Sequence, residues 1–215
     1  MLLKMSDQTI PKIKVLYRDG HYVAAHKPIG IATYQETRGQ GADGLKELIE
    51  NQTNERLFPV HRIDADTSGV VLFALDSKSA AQMVRLFKEQ QVQKIYTAWC
   101  VGNLPDKGSI GNPLKKNKSE LKESARTDYL RMKSWNGFSL AKVLPLTGRF
   151  HQIRRHFEMI HCPLVGDPKY GNPDAWAIFF KKDSKTPRLM LQAESIEFIH
   201  PFSKKRLKIQ TKEKL

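Results

Sequence analysis

Val70-Val71-Leu72-Phe73-Ala74-Leu75 is an apolar run without polar alternation, and it limits the fold more than any other stretch of the chain. Six residues are far too few to cross a bilayer. A strand with no polar face belongs inside a sheet, covered on both sides. Directly ahead of it stands His61-Arg62-Ile63-Asp64-Ala65-Asp66-Thr67-Ser68-Gly69, and ahead of that Leu57-Phe58-Pro59-Val60. A charged, hydroxyl-rich loop is thus wedged between two apolar stretches, where a rigid scaffold can present functional side chains.

The remaining pattern alternates short strands with a few helices. Val15-Leu16-Tyr17 and Tyr22-Val23-Ala24-Ala25 flank Asp19-Gly20, a hairpin signal. Helices are expected over 43–52 (Leu45, Leu48 and Ile49 inward), over 78–90 after an Asp76-Ser77 cap, and over 150–161 before Pro163. The second of these should turn Ala81, Val84, Leu86 and Phe87 inward, the third Ile153, Phe157 and Ile160. A short aromatic helix is expected from Trp176 to Phe180. Further strands are expected at 95–101, 124–132, 138–144, 188–193 and 196–199. Residues 103–126, including Leu114-Lys115-Lys116-Asn117-Lys118, read as an exposed basic loop; residues 1–12 read as a loose leader and 203–215 as a basic tail. Strands outnumber helices and neighbouring strands are mostly hairpin-like. The expectation is an α+β fold with an antiparallel or mixed sheet, in one domain spanning 1–215.

Charge narrows the partner. Lys plus Arg number 36 and Asp plus Glu 22 among 215 residues, a net charge of +14. Such a surplus favours a polyanion, either nucleic acid or an anionic membrane surface. A hydrophobic share of 40% excludes general disorder. Cys100 and Cys162 sit in apolar surroundings, belong to no CxxC pair, and read as small buried hydrophobes. The N-terminus has no apolar core of a signal peptide, so a cytoplasmic protein without a membrane span is expected.

Three groups of residues can carry chemistry. Asp64, beside Arg62 and a row of hydroxyls, has the surroundings of an ionised carboxylate, competent as nucleophile or base. Asp66 reads as a turn organiser acting through Thr67. Within Gly148-Arg149-Phe150-His151-Gln152-Ile153-Arg154-Arg155-His156, positions 151, 154 and 155 can present donors to one side of a helix, and guanidiniums suit carboxylate or phosphate. A metal site from His151, His156, His161 and Asp64 is disfavoured, because both histidine intervals are i,i+5. Tyr96, Trp99, Tyr170 and Trp176 lie near basic stretches, as base-stacking rings do, and Tyr96 beside Lys94 is the best placed of them.

In order along the chain, Lys27-Pro28-Ile29-Gly30, His61–Gly69, Lys94-Ile95-Tyr96, Thr147–Arg154, Pro163-Leu164-Val165-Gly166-Asp167 and Leu189-Met190-Leu191-Gln192-Ala193 resemble the KPxG, HRLDxxTSG, KxY, TGRxHQIR, PLxGD and LxLHA elements of the RluA family of RNA pseudouridine synthases. The resemblance runs from about Leu16 to Ile199. It implies a twisted, mixed, largely antiparallel sheet flanked by helices, with a central cleft. It also implies an isomerase that turns uridine into pseudouridine in structured tRNA or rRNA, without metal or organic cofactor. By the same resemblance Asp64 is the catalytic carboxylate and Arg154 its ion-pair partner. Tyr96 stacks on the target uracil and relays its C5 proton. Leu191 packs in the pocket and Arg62 fills the gap left by an everted nucleotide. Arg149 and His151, in the same motif as Arg154, are expected to touch the substrate. Ala65 and Gln192 depart from the family pattern, which has a basic residue and a His at those places. With 26 residues ahead of Lys27, no N-terminal S4-type RNA-binding module is expected. RNA is the expected partner, with no obligate protein partner and a monomeric state. A non-catalytic RNA-binding protein would explain the charge equally well, through salt-sensitive phosphate contacts. It leaves unexplained a carboxylate inside a basic site. A metal nuclease lacks the clustered carboxylates that magnesium needs.

Overall fold

The computed structural model describes residues 12–35, 41–116, 120–180 and 187–215. The leader, as far as residue 11, and Asn117-Lys118 of the basic stretch lie outside the described residues. Strands β1 (Val15–Arg18) and β2 (Tyr22–Lys27) form the expected hairpin. Asp19 sets its turn: Oδ1 accepts from the amides of His21 and Tyr22 at 2.8 and 2.7 Å. Then follow α1 (Leu45–Thr53), the short β3 (Phe58–Pro59), β4 (Ser68–Ala74), α2 (Ser77–Lys88) and β5 (Gln93–Val101). Asp76 caps α2, Oδ1 accepting from Ser79 N at 2.8 Å. Of the residues expected inward, Leu86 is buried and Val84 and Phe87 pack on the same core, while Ala81 is exposed; Ser79 and Met83 complete the buried face.

The expected loop over 103–126 carries three short strands. β6 (Lys107–Ile110) pairs with β9 (Thr127–Trp135), and between them β7 (Leu114–Lys115) and β8 (Lys122–Glu123) make a separate two-stranded hairpin. β10 (Phe138–Pro145) returns antiparallel to β9. Helices α3 (Gln152–Met159) and α4 (Pro173–Phe180) come next, then β11 (Leu191–Ile199) and β12 (Arg206–Gln210). Two expectations are corrected here. The stretches 188–193 and 196–199 are not two strands: β11 is continuous from Leu191 and passes an irregularity between Ala193 and Ser195. The basic tail holds a strand, β12, antiparallel to β11. In Arg206-Leu207-Lys208-Ile209 the apolar members alternate, and Ile209 is buried while the charged ones face water.

Ten strands form one sheet, ordered β1-β2-β4-β11-β5-β10-β9-β6, with β3 on β4 and β12 on β11. Among the described residues β4 and β11 are the only parallel neighbours, joined at Ser68 and Gly69 against Gln192 and Ala193. The sheet is therefore mixed and mostly antiparallel, as expected. The apolar run of β4 is buried on both faces. Val70, Leu72 and Ala74 pack with Met83 and Leu86 of α2; Val71 and Phe73 pack with Leu45 and Ile49 of α1. Beyond the parallel junction a further core joins Ala98, Ala141, Val143 and Leu191 to Ile153 and Phe157 of α3. Tyr96 touches the cores on both sides of the junction. The parallel pair brings the starts of β4 and β11 together, so the loop ahead of β4 opens beside Leu191. Gly69 is obligatory there: its φ is +119°, and a Cβ would overlap the Ala193 carbonyl. No helix among the described residues is long and apolar enough to cross a membrane.

Candidate active site

The 61–69 loop is tied down before it can present anything. Thr33 Oγ1 donates to Ile63 O at 3.0 Å and accepts from Ile63 N at 3.2 Å. Lys27, wholly buried, donates from Nζ to Pro28 O, Ile31 O and Ala65 O at 2.9, 2.8 and 2.8 Å. Gly30 N reaches the same Ala65 carbonyl at 2.9 Å. Position 65 thus serves through its backbone, which any residue supplies, and its side chain is exposed. Burial pushes the Lys27 ammonium down to about 8 against the pull of Asp66 and Asp64. His61 accepts from Leu72 N at Nε2 (2.9 Å) and stacks on Phe87. Desolvation first, and Lys94 second, push it to about 3, so its ring is neutral.

The TGRxHQIR segment is anchored through Gln152. Its Oε1 accepts from the Thr147 hydroxyl at 2.7 Å and from Arg149 N at 2.9 Å; its Nε2 donates to Arg126 O and Thr127 Oγ1 at 2.9 and 3.0 Å. His156, expected on the polar side of the helix, is buried between Thr127 and Asn112 O. Arg155 turns away to Lys115 O at 3.0 Å. The three donors of the sequence reading therefore do not share one side. His151 opens α3 in the left-handed region, with φ 50° and ψ 33°, an uncommon conformation for a non-glycine residue that clusters at functional sites.

All seven expected site residues line one cavity of about 540 Å³: Arg62, Asp64, Tyr96, Arg149, His151, Arg154 and Leu191. Asp64, 28% exposed, places Oδ2 at 3.7 Å from Arg154 Nη1 and 3.9 Å from His151 Nε2. At that distance the Arg154 contact is an ion pair without a hydrogen bond. The closer partner of Arg154 is Asp167. Arg154 Nε and Nη2 donate to its two oxygens at 2.8 and 2.7 Å, and both side chains are buried, at 2% and 0%. The sequence reading assigns Asp167 no role, although it quotes the PLVGD element in which Asp167 stands. A buried guanidinium needs a bidentate carboxylate, and that was the available signal. Burial works to raise Asp167, but the Arg154 hydrogen bonds and the amides of Lys169 and Tyr170 outweigh it and hold the carboxyl below its usual range.

Asp66 is half exposed and stands 3.9 Å from Arg154 Nη1. The turn hydrogen bond comes instead from Thr67 N to Asp64 O at 3.0 Å. Tyr96 enters from β5; burial first and Asp64 second drive its phenol upward, so it stays protonated at neutral pH. Lys94, also without a role in the sequence reading, donates to Thr147 O at 2.9 Å and is lowered by burial to about 8. Arg62 lies over the Tyr34 ring at 5.6 Å. Arg149 is held by Ser124 O at 3.1 Å and Glu123 at 3.2 Å. Tyr170 carries the Arg154 guanidinium over its ring at 5.3 Å and meets His151 Nδ1 through its hydroxyl at 3.2 Å. Trp99 and Trp176 belong to a separate apolar cluster. Among the described residues no three His, Cys, Asp or Glu side chains converge to hold a metal. The chemistry on offer is a carboxylate, steadied by a clamped guanidinium, facing a space that holds an aromatic ring.

A family model described as RNA pseudouridylate synthase matches residues 21–159. The chain is 33% identical over 219 residues to tRNA pseudouridine synthase C of Haemophilus influenzae, covering 92% of this chain and 91% of that protein. It is 32% identical over 207 residues to the dual-specificity RNA pseudouridine synthase RluA of Haemophilus ducreyi, covering 90% of each. Human RNA pseudouridylate synthase domain containing 4 superposes with a TM-score of 0.75 at 26% identity, over 93% of this chain and 88% of that one. Human RNA pseudouridylate synthase domain containing 1 superposes with a TM-score of 0.78, over 97% and 86%; at 21% identity it speaks for the fold.

Proposed function

The chain belongs to the RNA pseudouridylate synthase family and is an RNA pseudouridine synthase, and from that premise we propose how it works and on what: a uridine of tRNA, everted into the cavity against Asp64. The relatives matched over nine tenths of the chain are named for tRNA or for dual specificity, which favours tRNA over rRNA. The chain acts as a single catalytic domain and as a monomer; sedimentation of the active enzyme checks the latter.

The reaction breaks N1–C1′ and joins C5 to C1′. The C5 proton is lost and N1 gains one, so the isomerisation is proton-neutral and uses no co-reactant. Eversion costs a few kcal/mol. Arg62 offsets part of it by occupying the vacated stack, and Tyr96 by stacking on the uracil. Asp64 either attacks C1′ as N1–C1′ breaks, the resulting ester being displaced when C5 bonds to C1′, or takes the 2′ proton as N1 leaves and returns it to C2′ when C5 bonds to C1′. Arg154 Nη1 steadies the carboxylate, and Asp167, holding the two other nitrogens, fixes where Nη1 points. The freed uracil turns against Leu191 without leaving. The neutral Tyr96 phenol takes the C5 proton as it passes its own onward to a base or water.

The observation that carries this reading is the Asp64 carboxylate inside a cavity of about 540 Å³ that can admit a whole nucleoside, 3.7 Å from Arg154. The test is tritium release from RNA labelled with 5-tritiated uridine. Asp64→Asn should release none while binding RNA as wild type does; wild-type release by that variant rejects the assignment.

A further inference from the structure

An everted nucleotide stays joined to both neighbours, so the flanking nucleotides lie close to the cavity rim, each with one base face left unstacked. Arg149 and His151 line the cavity, and Phe150 between them does not: its ring stands outside, 41% exposed. One face lies flat on the His151 imidazole, with centroids 3.8 Å apart and an interplanar angle of 19°. His151 is itself braced edge-on against Tyr170 at 5.6 Å. The ring is therefore backed on one face, and its other, open face has, among the described residues, only the Lys169 ammonium over it. Lys169 holds its ammonium 5.6 Å from the Phe150 centroid and 5.5 Å from that of Tyr170. That is the outer limit of a cation–π contact, on a flexible exposed stem that can move to a phosphate. Arg155 bonds the Phe150 carbonyl at 3.4 Å and fixes the backbone beneath the ring. A large apolar ring that is 41% exposed leaves much of its apolar surface in water. Backed by an imidazole and flanked by a cation, it has the makeup of a platform for a single-stranded base.

We propose that the open face of Phe150 stacks an unpaired base flanking the target uridine, with Lys169 on that nucleotide's phosphate. The inference rests on the reading that the cavity receives an everted uridine. Stacking of this kind is sequence-tolerant and binds ground state and transition state alike, so it should act on KM rather than kcat.

The test uses bulk RNA from cells lacking the enzyme, labelled with 5-tritiated uridine, with wild type and Phe150→Ala, Phe150→Leu, Phe150→Tyr and Phe150→Trp. The ring packs outside the core, so all four should fold, and equal melting temperatures check this. The Ala and Leu variants should raise KM by about 5-fold to about 100-fold with kcat unchanged, while Tyr and Trp stay within about 3-fold of wild type. No product from wild type rejects the underlying reading. With active wild type, three results overturn the platform: KM of the Ala variant within two-fold of wild type, a wild-type KM for Leu, or a fall in kcat alone. The last would mean that the ring acts only by steadying His151.

Discussion

Replacing Asp167 by Asn keeps the shape of the side chain and removes its charge. Arg154 would then be a guanidinium at 2% exposure whose nearest carboxylates, Asp64 and Asp66, stand at 3.7 and 3.9 Å. Breaking a buried, bidentate pair by removing one partner costs about 3–5 kcal/mol, because the remaining charge stays desolvated. For a chain of this size that lowers Tm by about 6–20 °C. Asp64→Asn removes a carboxylate from the same arginine, but a more exposed one making no hydrogen bond to it. Its expected cost is about 0–1 kcal/mol, or about 0–4 °C. Calorimetry of the two variants beside tritium release should therefore separate them: Asp64→Asn is stable and inactive, and Asp167→Asn is unstable and slow. The sign of the pH dependence gives a second check. The Asp167 carboxyl titrates below its usual range, so its contribution is present above about pH 4 and is lost as pH falls through the folded value. Wild type and Asp167→Asn should converge in Tm on acidification. A Tm for Asp167→Asn within about 2 °C of wild type at pH 7 would refute the argument that this pair is the structural anchor of the site.

Gly69→Ala should leave little soluble protein, or lower stability by more than about 4 kcal/mol by denaturant melts, since the new methyl meets the Ala193 carbonyl at a φ of +119°. Lys27 titrates near 8 when folded and near 10.4 when unfolded, so between those values the unfolded chain holds the extra proton and stability rises with pH. From pH 7.5 to 9.5 wild type should gain about 1–2 kcal/mol on Lys27→Met in urea titrations; equal slopes would show that the amine is not desolvated when folded. Arg62→Ala should lower kcat/KM by about 10- to 100-fold in the tritium assay with no change in Tm, the size of a partly lost eversion term; an unchanged kcat/KM would remove Arg62 from the reaction.

The sequence is legible where the pattern is local. The apolar run of β4 needs burial on both sides whatever surrounds it, and Asp19-Gly20 turns the chain through contacts made within three residues. The residues expected from the ordered motifs line one cavity, which opens beside the β4–β11 junction. Failures come where charge hides periodicity, as in β12. Residue types alone establish which carboxylates and guanidiniums stand in the motifs and that the chain is basic; that they share one cavity is decided by the fold. Which carboxylate each guanidinium holds is a matter of distance in three dimensions. Arg154 is fastened by Asp167, thirteen residues on, because α3 and the turn after it bury both, and in that dry setting only a two-point contact satisfies the charge. Asp64 is thereby left with a single nitrogen of Arg154, beside His151 Nε2, and stays partly exposed. Folding alone decides that division between a buried carboxylate that clamps the guanidinium and a partly exposed one that faces the cavity.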